Sequence, residues 1–161
     1  MTSRPNIALF FIAVVFLSLT VSCKKSENDV IPNTWVDFTL DLSDPEFVIL
    51  NTLGGSVAVD ASTNNWGLSA AGFDNNGIII CAWVDEYYAY DRTCPHDYVV
   101  NGLSIPVNID PSSSMFAVCP ECGTKYALTA GGTPASGPGK YPLKNYRTYF
   151  DGRFVRVWNN R

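Results

Sequence analysis

The sequence predicts an all-β fold of small antiparallel sheets, and three patterns indicate it. Residues 35–42 alternate between apolar and polar side chains, as expected for a strand with one buried face. Residues 77–84 are apolar on both faces, which predicts a central, fully buried strand, with 87–90 returning as its hairpin partner. The pair Asp151-Gly152 is typical of a hairpin turn near the end of the chain. We find no convincing apolar repeat at helical spacing and expect about eight to ten short strands.

Four further segments complete the predicted fold. Residues 46–50 and 56–60 are short strand candidates. Residues 98–109 contain strand-like material interrupted by Asn-Gly and by proline, and 130–139 are so dense in glycine and proline that we expect an irregular loop. Cys81 lies inside the apolar run and is interpreted as a small core residue rather than a metal ligand.

Residues 1–22 are interpreted as the signal peptide of a lipoprotein. Residues 7–21 form an apolar run that suits a signal peptide better than a membrane-spanning helix, which needs about 20 residues. The chain becomes polar after Cys23, and this switch resembles a bacterial lipoprotein signal, in which the cysteine is lipidated and becomes the mature N-terminus. Thr20 stands where such signals usually have leucine. The alternative is an uncleaved anchor, or a plain secretory signal with Cys23 incidental.

The resulting organisation is a membrane-tethered domain. We expect residues 23–34 to form a polar tether and 35–161 to fold as one domain at the cell envelope, facing the periplasm or the exterior. The chain of 161 residues has 47% hydrophobic residues, which allows a packed core, and a net charge of −4. This acidic balance argues against a nucleic-acid partner, because nucleic acid requires a clustered basic face.

Three of the five cysteines and the only histidine lie in two short segments. The first contains Cys94 and His96, and the second, Cys-Pro-x-Cys-Gly, contains Cys119 and Cys122. Thiolate and imidazole are the ligands that soft and borderline metals prefer, and two cysteines three apart bind one ion where the chain turns at a glycine. We therefore predict that these four side chains bind a common metal centre. Asp97 is the alternative fourth ligand, and His96 is favoured because a carboxylate beside three thiolates is uncommon.

Other interpretations of these residues are open at this stage. Cys-x-x-Cys is also typical of a redox disulfide, although such a motif usually opens a helix, and no helical pattern follows it here. A disulfide between Cys94 and a cysteine of the second segment would also suit an exported protein. His96 alone could be an ordinary surface histidine. A shared metal site is favoured because it explains why both segments carry ligands.

The order of these parts resembles the Rieske iron–sulfur domain. A buried hairpin leads into Cys-Pro-His, and a second Cys-Pro segment leads to a glycine and an aromatic residue. Gly-Pro at 137–138, Pro-Leu at 142–143 and a final hairpin follow. The resemblance covers residues 77–158. It implies a Rieske-like fold whose two-loop metal-binding subdomain comprises residues 93–126 and 130–143.

Carried onto this chain, the Rieske pattern implies a 2Fe–2S cluster in which Cys94 and Cys119 bind one iron and His96 binds the other. Cys122 stands where the family has its second histidine, and the paired cysteines that link the two loops of respiratory Rieske proteins are missing. Replacing a neutral imidazole with a thiolate adds one negative charge to the cluster. We therefore expect a lower potential than that of ordinary Rieske proteins.

Two functions from different classes follow from the resemblance and the ligand set. The first is one-electron transfer at the cell envelope between the 2Fe–2S cluster and a redox protein partner. The second is a non-redox lipoprotein in which one structural zinc, with three thiolate ligands and one imidazole, stabilises a binding domain. An enzyme is not expected, because we find no nucleophile and base pair and no additional metal ligands for an oxygenase.

Overall fold

The computed structural model describes residues 30–63, 66–68 and 70–159. Within these residues the chain has eleven strands and one short α-helix, so the predicted all-β class is confirmed. The strands β1 to β11 are, in order, Asp37–Asp41, Ser56–Val59, Trp66–Leu68, Ile78–Trp83, Glu86–Asp91, Asn108–Asp110, Ser113–Val118, Lys125–Ala127, Thr133–Ser136, Asn145–Phe150 and Phe154–Trp158. The helix α1 is Pro95–Asn101, and 3-10 turns lie at Val48–Asn51, Phe73–Asn75 and Leu128–Ala130.

The strands form two antiparallel sheets. The larger has seven strands in the order β2-β4-β5-β10-β11-β1-β3, and the smaller has four in the order β6-β7-β8-β9. Both predicted hairpins are present, because β4 pairs with β5 and β10 pairs with β11. Hydrogen bonds join the two sheets: Ser56 Oγ donates to Ser114 O at 2.6 Å, and Ser114 Oγ donates to Gly54 O at 2.7 Å.

Strand β4 is buried on both faces because it lies between two hydrophobic cores. Ile78 and Ile80 belong to the core of the larger sheet, whereas Ile79 and Cys81 belong to a second core shared with the smaller sheet. A strand with one face in solvent would alternate between apolar and polar residues. The two cores therefore explain why this strand is apolar throughout. β4 pairs with β2 and β5 and is second in the sheet, while β10 is central. Cys81 is fully buried, as predicted.

The second core reaches from the larger sheet to the loops that carry the cysteines. Its buried members are Ile79, Cys81, Tyr90, Cys94, Val107, Ala117, Cys119, Tyr126, Leu128 and Leu143. Tyr90 Oη donates to Leu128 O at 2.8 Å, which satisfies a phenol in the middle of this apolar group. Two of the predicted metal ligands, Cys94 and Cys119, therefore lie within this hydrophobic core.

Helix α1 is the main difference from the sequence prediction, which assigned strand-like structure to residues 98–109. Pro95 occupies the start of the helix, where its missing N–H costs nothing, and Gly102 ends the helix with a φ of 65°. The helix has only seven residues, too few for an apolar repeat at helical spacing to be recognised. Val99 and Val100 are exposed on it.

Two further segments differ from the prediction. Residues 46–50 do not form a strand. They lead into the 3-10 turn Val48–Asn51, and Phe47 N, just before this turn, donates to Asp44 O at 3.0 Å. Residues 130–139 are not a loop throughout, because they include β9, which pairs with β8 at the edge of the smaller sheet. Pro134 is tolerated there, since an edge strand needs no donor on its outer side.

The described end of the predicted tether contacts the domain. Ile31 is 1% exposed, and Lys144 Nζ donates to Ile31 O at 3.0 Å and to Asn33 Oδ1 at 2.7 Å. The predicted signal peptide, residues 1–22, and Cys23 lie outside the described residues. Among the helices that the structure describes, none is long and apolar enough to cross a membrane.

Candidate metal centre

The first loop of the site leaves strand β5 at Asp91, a buried carboxylate with several hydrogen-bond donors. Its Oδ2 accepts from Tyr146 Oη and from Phe73 N, both at 2.7 Å, and its Oδ1 accepts from Thr93 N at 2.9 Å. A buried charge is tolerated where such donors replace water. Asp91 therefore fixes the backbone that leads directly into Cys94.

Helix α1 brings Cys94 and Asp97 to one side of this loop. Cys94 caps the N-terminus of the helix, and its carbonyl oxygen accepts from Tyr98 N at 3.1 Å. Residues three apart on a helix share a face, so the Cys94 thiol and the Asp97 carboxylate point in similar directions. Asn101 Nδ2 donates to Asp97 Oδ1 at 3.0 Å and orients the carboxylate, which has no exposed surface.

The second loop is the turn between β7 and β8, and it carries Cys119 and Cys122. Cys119 N donates to Thr124 O at 2.9 Å, and Gly123 N donates to Cys119 O at 3.0 Å. Gly123 has a φ of 70°, a left-handed conformation that glycine adopts without strain. The turn holds the sulfur atoms of both cysteines within 4.8 Å of each other.

A third segment, which the sequence placed in the metal-binding subdomain, supports this turn from outside. Thr124 Oγ1 accepts from Gly139 N at 3.0 Å and from Cys122 Sγ at 3.2 Å. Gly137 approaches the same turn so closely that a Cβ atom there would lie 2.7 Å from Thr124 Cα. The segment around Gly137 therefore packs against the turn that carries Cys119 and Cys122, through backbone contact.

Four ligand-type side chains converge where the two loops meet. Cys94, Asp97, Cys119 and Cys122 offer ligand atoms that all lie within 4.8 Å of one another. Cys94 Sγ is 3.7 Å from Cys122 Sγ, and Cys119 Sγ donates to Asp97 Oδ2 at 2.9 Å. Three of these residues are buried, and Cys122 is half-buried. The structure thus brings together three of the four predicted ligands, while His96, half-buried on α1, is not a member of this group among the described residues.

Burial favours the protonated form of two of the thiols, Cys94 and Cys119. It raises the pKa of Cys94 to about 11, and it also raises the pKa of Cys119, where the hydrogen bond to Asp97 adds to the effect. Burial acts to raise the pKa of Asp97 as well, but hydrogen bonds from Cys119 and Cys122 outweigh it and leave the pKa lowered. Without a cation, the Cys94 and Cys119 thiols therefore stay protonated beside the Asp97 carboxylate, whose lowered pKa favours its ionised form. A bound divalent cation displaces the thiol protons.

Two residues that the sequence analysis did not assign to the site contact its sulfur atoms. Tyr126 Oη lies 3.3 Å from Cys94 Sγ, and Thr124 Oγ1 lies 3.2 Å from Cys122 Sγ. Burial, followed by the hydrogen bond with Cys94, raises the pKa of Tyr126, so its O–H is retained and is placed to donate to a thiolate. Both follow Cys122 within four residues, and Tyr126 is the aromatic residue that follows the glycine in the Rieske-like order of parts.

The cysteines of the site are free thiols. Cys94, Cys119 and Cys122 form no disulfide, and the 3.7 Å between Cys94 Sγ and Cys122 Sγ far exceeds the about 2.05 Å of a disulfide bond. Three thiols and one carboxylate are a donor set that fits zinc or iron. The set does not reproduce the two cysteines and two histidines of a Rieske cluster.

Comparison with known proteins finds distant structural similarity. No family model and no curated protein matches the sequence. The chain is similar to the ferredoxin of carbazole 1,9a-dioxygenase from Nocardioides aromaticivorans IC177, with 18% identity and a TM-score of 0.47 over 80% of this chain and 100% of that chain. It is also similar to a chain in the complex of reduced oxygenase and oxidised ferredoxin in carbazole 1,9a-dioxygenase, with 17% identity and a TM-score of 0.46 over 79% of this chain and 94% of that chain. At this distance the function must be derived from the site itself.

Proposed function

We propose that this chain is a one-electron carrier with an iron centre held mainly by cysteine thiolates. The observation that carries the proposal is the convergence of three thiols and one carboxylate, from two loops, within 4.8 Å. Buried polar groups of this kind are costly in an apolar core unless they serve as ligands or find partners. Thiolate-held iron has a one-electron couple whose potential depends on ligand charge and hydrogen bonding.

A redox protein partner is proposed to dock over Cys122. This residue is the half-buried member of the group, and the neighbouring Pro120, Glu121 and Gly123 are exposed. A protein that docks on this turn comes close to the centre, and small, transient interfaces are usual between redox proteins. On this proposal the chain is a carrier or binding domain and not an enzyme.

Iron, when bound, supplies the electron acceptor, and the surrounding residues adjust its potential. The Tyr126 hydroxyl is placed to donate to the Cys94 sulfur, whereas Thr124 Oγ1 accepts from the Cys122 thiol and its hydroxyl could donate in return only once that thiol has lost its proton. Hydrogen bonds to sulfur raise the potential, whereas each anionic ligand lowers it. Because anionic donors dominate the group, we expect a 2Fe–2S cluster held here to have a midpoint potential below about −150 mV, the lower bound of Rieske centres.

Attachment to the cell envelope through a lipid on Cys23 is a further part of this proposal. Its support is the apolar run at 7–21 and the abrupt change to polar residues after Cys23. Several acyl chains would hold the domain at the membrane, facing the periplasm or the exterior. Incorporation of labelled palmitate tests it. Label is expected in the native chain and not in Cys23→Ser, and equal labelling of both would contradict lipidation at this residue.

A structural zinc site is the second candidate function. It is favoured by one observation, the short distances among all four ligand atoms, because a single zinc ion takes four ligands tetrahedrally. The zinc would join α1 to the turn between β7 and β8 and stabilise a loop-rich domain whose role is binding. The two functions differ in the metal and in its redox chemistry, so one preparation distinguishes them.

The test is purification of the full-length chain from membranes without oxygen, followed by absorption spectroscopy, metal analysis and redox titration. Coloured protein that contains iron and is reversibly reduced by one electron supports the carrier. Cys122→Ser is expected to lose the iron, whereas Cys81→Ala, which removes a cysteine outside the site, is expected to keep it. Colourless protein with one zinc and no reducible centre would exclude the carrier and favour the zinc function.

A further inference from the structure

We infer that the centre contains one metal ion with Asp97 as its fourth ligand, rather than a bridged pair of irons with His96. The inference rests on the proposed metal centre, and it holds whether the ion is iron or zinc. The ligands are then the three thiolates of Cys94, Cys119 and Cys122 and one carboxylate oxygen. This set departs from the Rieske pattern that the sequence resembles.

The distance between the Cys94 and Cys122 sulfur atoms is that of a single tetrahedron, whereas Cys119 Sγ and Asp97 Oδ2 are at a hydrogen-bond distance of 2.9 Å that would lengthen to about 3.5 Å around an ion. A metal–sulfur bond of about 2.3 Å gives sulfur–sulfur edges of about 3.8 Å in a tetrahedral site. Cys94 Sγ and Cys122 Sγ are 3.7 Å apart, and no two ligand atoms of the group are more than 4.8 Å apart. In the Rieske-like assignment these two cysteines bind different irons, so the second iron and the bridging sulfides would have to separate them. A two-iron cluster would therefore require the two loops to move apart from the arrangement observed here.

Asp97 has the position that a fourth ligand needs. It lies one helical turn after Cys94, so the two side chains share a face of α1, whereas His96 lies about 200° around the helix from Cys94. Asp97 Oδ2 is 2.9 Å from Cys119 Sγ, and the residue has no exposed surface. The carboxylate is enclosed with Oδ2 directed at the sulfur atoms, where an ion bound by those sulfurs would meet it.

Asn101 fixes the orientation of the proposed carboxylate ligand. Its amide donates to Asp97 Oδ1 at 3.0 Å, which leaves Oδ2 directed at the sulfur atoms. Metal ligands are commonly oriented by a hydrogen bond of this kind before the ion binds. Three thiolates beside one carboxylate select zinc or iron(II) over magnesium or calcium, which prefer oxygen ligands alone.

The test titrates cobalt(II) into full-length protein that has been stripped of metal under reducing conditions. Tetrahedral cobalt absorbs strongly, and each thiolate ligand adds charge-transfer intensity. We expect one cobalt per chain. Asp97→Cys is expected to raise the thiolate-to-cobalt intensity by about one third, as three thiolates become four. Asp97→Ala is expected to weaken cobalt binding at least about 10-fold. His96→Gln, one residue away on the same helix, is the matched control and is expected to leave spectrum and affinity unchanged.

Three results separate this inference from the proposed carrier function. A cobalt spectrum that changes in His96→Gln and not in Asp97→Cys would overturn the inference. Two irons and two sulfides per chain in protein purified without oxygen would also overturn it, while leaving the carrier function intact. One zinc per chain, with the cobalt results as expected, would support the single-ion site and exclude the carrier. Asp97→Cys keeps a metal ligand at this position, so its cobalt spectrum still tests the inference if Asp97→Ala fails to fold.

Discussion

Replacing Tyr146 with phenylalanine tests how the first metal loop is held. Tyr146 Oη donates to Asp91 Oδ2 at 2.7 Å, and both residues are buried. Burial, together with the Asp91 carboxylate, raises the pKa of Tyr146, so the phenol stays protonated and donates. Tyr146→Phe keeps the packed ring and removes one donor from a buried carboxylate. Since a hydrogen bond to a charged group contributes about 1.5–3 kcal/mol, the free energy of unfolding is expected to fall by that amount.

Thermal unfolding followed by circular dichroism measures this effect. For a domain of this size, 1 kcal/mol corresponds to about 3–4 °C, so Tyr146→Phe is expected to lower the Tm by about 5–12 °C. Tyr149→Phe is the matched control on the same strand, because Tyr149 is 63% exposed, and its Tm should change by less than about 2 °C. Equal Tm values for Tyr146→Phe and the native chain would refute the view that this hydrogen bond fixes Asp91.

Three other substitutions test the segment before β1, the backbone contact with the cysteine turn, and the hydroxyl that faces a ligand sulfur. Ile31→Ala is expected to lower the free energy of unfolding by about 2–5 kcal/mol in chemical denaturation, because Ile31 is 1% exposed; an unchanged midpoint would mean that the segment before β1 contributes nothing. Gly137→Ala is expected to lower the Tm more than Gly131→Ala, because a Cβ at Gly137 would lie 2.7 Å from the backbone of the cysteine turn. Gly131 is also left-handed but faces open space, so its substitution is expected to cost only about 1–2 kcal/mol, the cost of a left-handed alanine. Equal losses would contradict the proposed backbone contact. Tyr126→Phe is expected to lower the midpoint potential of the iron form without loss of metal, since it removes a hydroxyl that faces a ligand sulfur. An unchanged potential in a redox titration would count against that role.

The strands were predictable where burial leaves a pattern in the sequence. β1 alternates because one of its faces is buried, and β4 is apolar throughout because a core lies on each side. Helix α1 was not predictable from periodicity, since seven residues give fewer than two full turns. β9 was not predicted because the proline and glycine around it normally indicate a loop. They are compatible with a strand here because β9 lies at the edge of its sheet.

The cysteines of the site were predictable from residue type and spacing, and Asp97 was named as the alternative fourth ligand, but the choice between Asp97 and His96 was not predictable. Ligand chemistry alone favours His96 over Asp97. The direction of each side chain depends on α1, because adjacent helical residues point about 100° apart. Asp97 lies on the face of Cys94 only once the chain after Cys94 is helical. A local structure that the sequence did not reveal therefore determines which of two neighbouring residues meets the thiols.

X-ray absorption at the edge of the bound metal, on full-length protein purified without oxygen, tests the central claim most directly. It reports the number, type and distance of the atoms around the ion. We predict three sulfur atoms at about 2.3 Å and one oxygen at about 2.0–2.2 Å around a single ion. A second metal at short distance, or a shell of two sulfur and two nitrogen atoms, would contradict the claim.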